Sequence, residues 1–165
     1  MSTISSRVAV AVHVLAYMAW KRGEAATSER IAASVNTNPV VVRRIMGALR
    51  NAGMVTVQPG VGGGAQLARE PGEITLLDVY GAVEDGDDLF SLHPQPPARD
   101  CSIGGNIQAV LQGVFCQAER AMREVLAGVT IETVGREVMG RARAAGCCGA
   151  DEADPAAAAH EVYSG

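Results

Sequence analysis

Cys101 is the residue for which the sequence most clearly suggests a chemical role, because it directly precedes a long helical pattern. The dipole and free N–H groups at a helix N-terminus lower the pKa of a thiol, and Arg99 adds to this effect while Asp100 opposes it. An exposed thiolate is open to oxidation to a sulfenic acid or a disulfide. The position therefore predicts a redox-sensitive residue, with an inert linker cysteine as the alternative.

The remaining cysteines and the histidines lack partners at a useful spacing. Cys116 lies in an apolar helical stripe, fifteen residues after Cys101, and Cys147 and Cys148 are adjacent, which suits one metal ion poorly. The three histidines are far apart in the sequence, and none has a recognisable Ser, Cys or Asp partner for nucleophilic catalysis. We therefore expect neither an enzyme nor a bound cofactor or metal. An iron–sulfur cluster completed by other segments or another subunit is the alternative.

Arginine residues offer a second kind of chemistry, and they are concentrated in the first part of the chain. Residues 1–70 contain eight Lys/Arg and three Asp/Glu, a net charge of +5, whereas residues 71–165 carry −9. Guanidinium groups donate hydrogen bonds to guanine edges and to phosphates. A basic half joined to an acidic half therefore favours nucleic-acid binding by the first half.

The elements that must position these arginines resemble a helix-turn-helix. An apolar stripe over residues 8–20 predicts a buried first helix. Thr27 or Ser28 can cap a second helix, and Asn38 followed by a proline predicts the start of a third, the recognition helix. The residues predicted to contact DNA here are Thr27, Ser28, Asn38, Val40, Val41, Arg43, Arg44 and Arg50. An ordinary helix pair with a solvated polar face is the alternative.

A hairpin after the third helix predicts a wing. Residues 55–58 alternate and are rich in valine and threonine, a Pro- and Gly-rich turn follows, and residues 65–68 can return as a second strand. The glycines Gly62, Gly63 and Gly64 would let the backbone approach phosphates, so they join the predicted DNA contacts. The run lacks the spacing and the following Lys-Ser/Thr of a nucleotide-binding loop.

The second half of the chain predicts a dimerisation helix. After an amphipathic helix at 74–83, residues 85–101 are an acidic, proline-rich linker, and a long helical pattern covers 102–128. Its apolar stripe consists of Ile103, Ile107, Val110, Leu111, Val114, Phe115 and Met122. The remaining chain is too small to cover this stripe, so we expect a second copy to do so in a homodimer. A helix packed across its own domain is the alternative.

The expected organisation is therefore a winged helix-turn-helix domain at 1–84, the linker, the dimerisation helix, and a short helix with a mobile tail at 129–165. The predicted fold class is mainly α with a small β-hairpin. Residues 8–20 are shorter than the roughly 20 apolar residues of a membrane span, and no small-residue cleavage pattern follows them. We expect a cytoplasmic protein without a membrane partner.

Several motifs, in this order, resemble the Rrf2 family of bacterial winged helix-turn-helix regulators. They are LRNAGMV at 49–55, GGG at 62–64 and ITLLDV at 74–79. A second set, LFSLHP at 89–94 followed by Cys101 and the segment 104–111, resembles a subgroup without the three-cysteine iron–sulfur motif. The resemblance implies a dimer that binds operator DNA, usually as a repressor, through a recognition helix at 38–51 and a wing at 59–64.

The chain departs from the family pattern at positions that would face DNA. Many members carry Ser-Tyr-Leu-Glu where this chain has Val-Val-Val-Arg at 40–43, an arginine in place of Pro59, and an aromatic residue in place of Ala65. These departures leave the operator sequence open. The sequence as a whole predicts a dimeric, sequence-specific DNA-binding regulator, a repressor responsive to redox state through Cys101. A regulator that senses a small ligand and a winged helix used for protein–protein contact are the alternatives.

Overall fold

Helices dominate the computed structural model, which describes residues 6–22, 24–60, 63–84 and 89–146. The described elements are α1 (Ser6–Trp20), α2 (Ser28–Val35), α3 (Pro39–Asn51), β1 (Val55–Gln58), β2 (Gly64–Leu67), a 3-10 helix (Pro71–Glu73), α4 (Leu76–Val83), α5 (Ile107–Ala127) and α6 (Ile131–Ala144). The predicted class, mainly α with one small hairpin, is confirmed. None of these helices is long and apolar enough to cross a membrane.

The helix-turn-helix is defined by local caps that the sequence predicted. Thr27 caps α2 by accepting a hydrogen bond from a backbone N–H of its first turn, and Asn38 accepts one from the Val40 N–H at 2.8 Å. Pro39 is the first residue of α3, where its missing N–H costs nothing. Between the helices, Asn36 adopts a left-handed conformation with φ 58°, which forms the tight turn.

The wing is an antiparallel hairpin that is hydrogen-bonded to the segment between α1 and α2. β1 pairs with β2 from Val55 opposite Leu67 to Gln58 opposite Gly64, so the second strand begins one residue earlier than predicted. Ala26, between α1 and α2, exchanges two backbone hydrogen bonds with Ala65, at 3.0 and 2.9 Å. The base of the wing is therefore tied to the helix-turn-helix.

The core lies where α1, α3 and α4 meet. The inner faces of α1 and α3 contribute the apolar residues that the helical spacing predicted, among them Val14, Leu15, Val42 and Leu49, which have no exposed surface. α4 adds Val79 and begins with a capping box, in which Thr75 and Asp78 bond each other's backbone N–H.

The last described helix, α6, belongs to this same core, which the expected organisation did not anticipate. Ile131 is completely buried, and α6 packs along α1. Backbone hydrogen bonds of 2.9 Å join Leu76 to Val129 and Ile131 to Ile74, so the chain returns from α5 to the start of α4. The region predicted as a mobile tail after residue 146 lies outside the described residues.

The long helix begins later than predicted, at Ile107 rather than at residue 102. Residues 98–106 instead form a compact turn. A Cβ on Gly104 would lie 2.4 Å from the Ala98 carbonyl oxygen, so the close approach of the two backbone segments requires glycine. Ile103 consequently lies outside the helix, with 72% of its surface exposed, and does not share the stripe of α5.

Candidate nucleic-acid interface

The first half of α3 presents the most distinctive exposed surface of the helix-turn-helix. Burial of Val42, Ile45 and Leu49 fixes the rotation of this helix. The same rotation turns Arg43 and Arg44 outward. It also exposes 54% of Val40 and 41% of Val41. Four of the predicted DNA contacts therefore lie on solvent-facing surface at the N-terminal half of the recognition helix, the part that contacts base edges in helix-turn-helix complexes.

Arg43 is held across the turn by α2. Its Nη2 donates to Glu29 Oε1 at 2.7 Å, and its Nε donates to Ser28 Oγ at 3.2 Å. The hydrogen bond from Arg43 is the main reason that the pKa of the Glu29 carboxyl lies below its ordinary value. Both side chains remain more than half exposed, and ion pairs at this exposure are weak because water screens them. The contact therefore orients Arg43 without locking it.

Glu29 is not among the residues that the sequence predicted to contact DNA. The structure brings it together with two predicted DNA contacts, Ser28 and Arg43. The available signal was an acidic residue within the otherwise basic first 70 residues. Its partner is fourteen residues away, so no helical spacing could have identified the pair.

The other two arginines of α3 differ from Arg43. Arg44 is exposed and forms no ion pair with any residue in the described ranges. Arg50 is also exposed, and it follows Arg43 by seven residues, which is about two full turns and roughly 10 Å along the helix. Arg50 therefore lies on the same side of α3 as Arg43, towards the C-terminal end of the helix.

The fold of the wing itself requires glycine at several positions, independently of any contact with DNA. A Cβ on Gly63 would lie 2.2 Å from the Gln58 carbonyl oxygen, and one on Gly64 would lie 2.9 Å from the Ala25 Cβ. Gly60 adopts φ 108°, a conformation that suits glycine alone. The tight turn and the packing of the wing base require these glycines, whereas Gly62 lies outside the described residues.

Cys101 lies in the compact turn before α5, six residues ahead of the helix. Hydrogen bonds from the backbone N–H groups of Gly104 and Ile103 lower the pKa of its thiol, and the residue is exposed. The pKa of the thiol is thus lowered, as the sequence predicted, but the physical cause differs from the predicted one. The N–H groups belong to the turn, whereas the prediction relied on the dipole and the free N–H groups at the start of the long helix and on Arg99.

The iron–sulfur cluster that the sequence left as an alternative has no set of ligands among the described residues. Cys116 is exposed on α5 and lines an open groove with Leu77 and Arg120, so it is not the core residue that its helical stripe predicted. Within the described ranges, no three His, Cys, Asp or Glu side chains converge. The donors among these described residues do not fit an iron centre. Cys147 and Cys148 lie outside the described residues.

A helix-turn-helix followed by a two-stranded wing, with arginines exposed on its second helix, defines the class: a winged helix-turn-helix DNA-binding protein. The comparisons identify the family. The family model Rrf2, described as an iron-dependent transcriptional regulator, matches residues 4–137. YwnA of Bacillus subtilis (strain 168), named as an HTH-type transcriptional regulator, is 43% identical over 131 residues, which cover 79% of this chain and 96% of YwnA.

Solved structures agree with this assignment. One described as a DNA binding protein is 38% identical with a TM-score of 0.62, and the match covers 78% of this chain and 98% of the other. CymR, the global cysteine regulator of B. subtilis, shares the fold with a TM-score of 0.63 at 23% identity, over 83% and 98% of the two chains. The chain belongs to the Rrf2 family of transcriptional regulators, and it is not an enzyme.

A pair of Gly→Ala variants separates the glycine that the wing requires from one that it does not. Gly63→Ala should destabilise the fold by more than about 1 kcal/mol, because the added Cβ clashes with a backbone oxygen. Gly47→Ala, within α3, adds a Cβ that meets nothing within 4 Å, and it should stabilise by about 1 kcal/mol through helix propensity. Urea denaturation followed by circular dichroism measures both. Equal effects of the two variants would contradict the steric role of Gly63.

Proposed function

We propose that the protein is a cytoplasmic, homodimeric repressor that binds a specific DNA operator and releases it when Cys101 is oxidised. The observation that carries the DNA-binding part is the exposed N-terminal half of α3, with Arg43 and Arg44, in a helix-turn-helix to which a wing is joined through Ala26 and Ala65. In this proposal α3 enters the major groove and the wing lies along the adjacent backbone.

The proposed DNA contacts are of two kinds: those that recognise bases and those that position the protein on phosphates. Arg44, which is exposed and has no ion-pair partner among the described residues, would donate to a guanine edge. Arg43 would exchange its weak pairing with Glu29 for a phosphate, because an anion of the DNA backbone replaces the carboxylate with little loss. Thr27, Ser28 and Asn38, at the N-termini of α2 and α3, would position the helices on phosphates.

The surface of α5 supports the dimer. None of its residues is buried, and the exposed surface fractions of Val110, Val114 and Val125 are 61%, 54% and 67%. A second copy of α5 would cover this face in a symmetric interface. The apolar stripe is narrower than the sequence suggested, because Phe115 is covered by Phe90, with ring centroids 4.7 Å apart.

The position of Cys101 supports a thiol switch that requires no cofactor. Its thiolate would attack one sulfur of a disulfide such as oxidised glutathione, so that a new S–S bond forms, the old one breaks, and the other half leaves as a thiolate. The bulky adduct would remove the sulfur from the N–H groups of Gly104 and Ile103. Those groups belong to the turn that leads into α5, so the change would reach the dimer helix.

Removing both arginines tests the DNA interface. Arg43→Ala combined with Arg44→Ala should weaken operator binding by about 1–3 kcal/mol for each real base contact and should reduce the salt dependence. Fluorescence anisotropy on the upstream DNA at several salt concentrations measures this. Arg136→Ala with Arg141→Ala, on α6, removes the same charge from another helix and should change affinity far less. If the two double variants behave alike, the α3 arginines do not read DNA.

A charge on the apolar face of α5 tests the dimer. Val114→Glu should convert a two-chain species into a one-chain species, because the interface would bury an unpaired carboxylate. Gln112→Glu introduces the same charge on the opposite side of the helix and should remain dimeric. Analytical ultracentrifugation distinguishes the two outcomes. A wild-type protein that sediments as a single chain would refute the proposed dimer.

The thiol switch predicts a chemical and a functional result. In a variant with the other three cysteines replaced by serine, alkylation of Cys101 should reach half its maximal rate at a lower pH than that of the cysteine in a short unstructured peptide, because its lowered pKa yields thiolate earlier. In urea, which removes the turn, this difference should disappear. Oxidised glutathione should release the wild type from DNA, whereas Cys101→Ser should stay bound. Release of both proteins would place the switch elsewhere, and retention of both would remove it.

A further inference from the structure

Two branched apolar side chains at the start of α3 face solvent. Val40 is 54% exposed and Val41 41% exposed, whereas the next residue, Val42, is completely buried. Valine is a weaker helix former than most residues because its χ1 rotation is restricted. A folding role therefore explains Val42 and does not explain its two predecessors.

The surroundings of these valines suit a polyanion. They lie in the first turn of α3, where the helix dipole favours negative charge. Arg44 is four residues after Val40 and three after Val41, so the three side chains share one surface of the helix. Arg43 is drawn aside towards α2 by Glu29 and Ser28, which leaves the valines uncovered.

The chemistry of the major groove then identifies what the valines contact. Nearly every group on its floor is a hydrogen-bond donor or acceptor, and the apolar exception is the 5-methyl group of thymine. A valine pressed against any other base edge would leave buried polar groups without partners, at a cost. Against a thymine methyl group, both apolar surfaces leave water together.

We propose that Val40 and Val41 are specificity-determining residues that read thymine methyl groups in the operator. The inference rests on the proposed DNA-binding function and adds the identity of bases that it reads. Arg44 lies about 6 Å further along the helix than Val40, which corresponds to roughly two base-pair steps of about 3.4 Å. Each half-site should therefore contain thymines within a few base pairs of the guanine that Arg44 contacts.

Replacing thymine by uracil removes the methyl group and leaves base pairing intact. An operator is first selected with the wild-type protein from a random duplex library, and each thymine is then replaced in turn by deoxyuridine. Anisotropy should show a loss of affinity of roughly fourfold at the thymines that are read, the size expected for one methyl-sized apolar contact. In the double variant Val40→Ala, Val41→Ala, the same replacements should no longer change affinity.

An exposed valine outside α3 provides the matched control. Val138→Ala removes the same atoms from a valine of α6 that is 54% exposed, and it should keep the full uracil penalty. A wild type that binds thymine and uracil operators equally would overturn the inference and leave the DNA-binding function intact, as would a double variant that keeps the penalty. Failure to select any DNA from the library would instead refute the proposed function itself.

Discussion

The burial of one face of α3 is the constraint on which the rest of the molecule depends. Val42, Ile45 and Leu49 occupy the core between α1 and α4, and their positions fix the rotation of the helix about its own axis. Interiors are packed too closely for the helix to turn freely without opening cavities. The same packing therefore decides that Val40, Val41 and Arg44 face solvent together. The interface is in this sense a consequence of the core.

A second constraint joins the two halves of the chain. Thr75 and Thr130 form a β-bridge, and Ile131 enters the core beside α1, so the C-terminal end of α5 is anchored to the domain that contains α3. In the middle of α5, the Leu89 backbone N–H donates to Glu119 at 2.9 Å and Phe90 stacks on Phe115, which joins the linker to the same helix. A partner that packs on α5 would therefore have a defined position relative to α3. This is the property that a dimeric reader of two half-sites requires.

The ion pair between Glu29 and Arg43 affects the charge of the exposed surface of α3. The pairing of Glu29 with Arg43 offsets one positive charge at the surface where the arginines of α3 lie, and it keeps the guanidinium away from the exposed valines. Because long-range attraction to DNA depends on charge and carries no sequence information, this offset would lower non-specific attraction more than the proposed base reading. Apolar contacts from valine and a directed contact from Arg44 would then carry a larger share of the discrimination.

The signals that the sequence alone supplied were short in range. The capping residues Thr27 and Asn38, together with Pro39, predicted where α2 and α3 begin. The alternation at 55–58 predicted the wing, and the apolar spacing of α1 and α3 predicted their core faces. Caps and periodicities act within a few residues, so they can be recognised in the sequence. Only the tertiary structure decided the rest. It paired Arg43 with Glu29, buried Ile131, placed Cys101 against the N–H groups of its turn, and excluded Ile103 from α5. Most of these outcomes depend on how separate segments approach one another, and the turn at Cys101 depends on a close contact of Gly104 with Ala98 that no periodicity encodes.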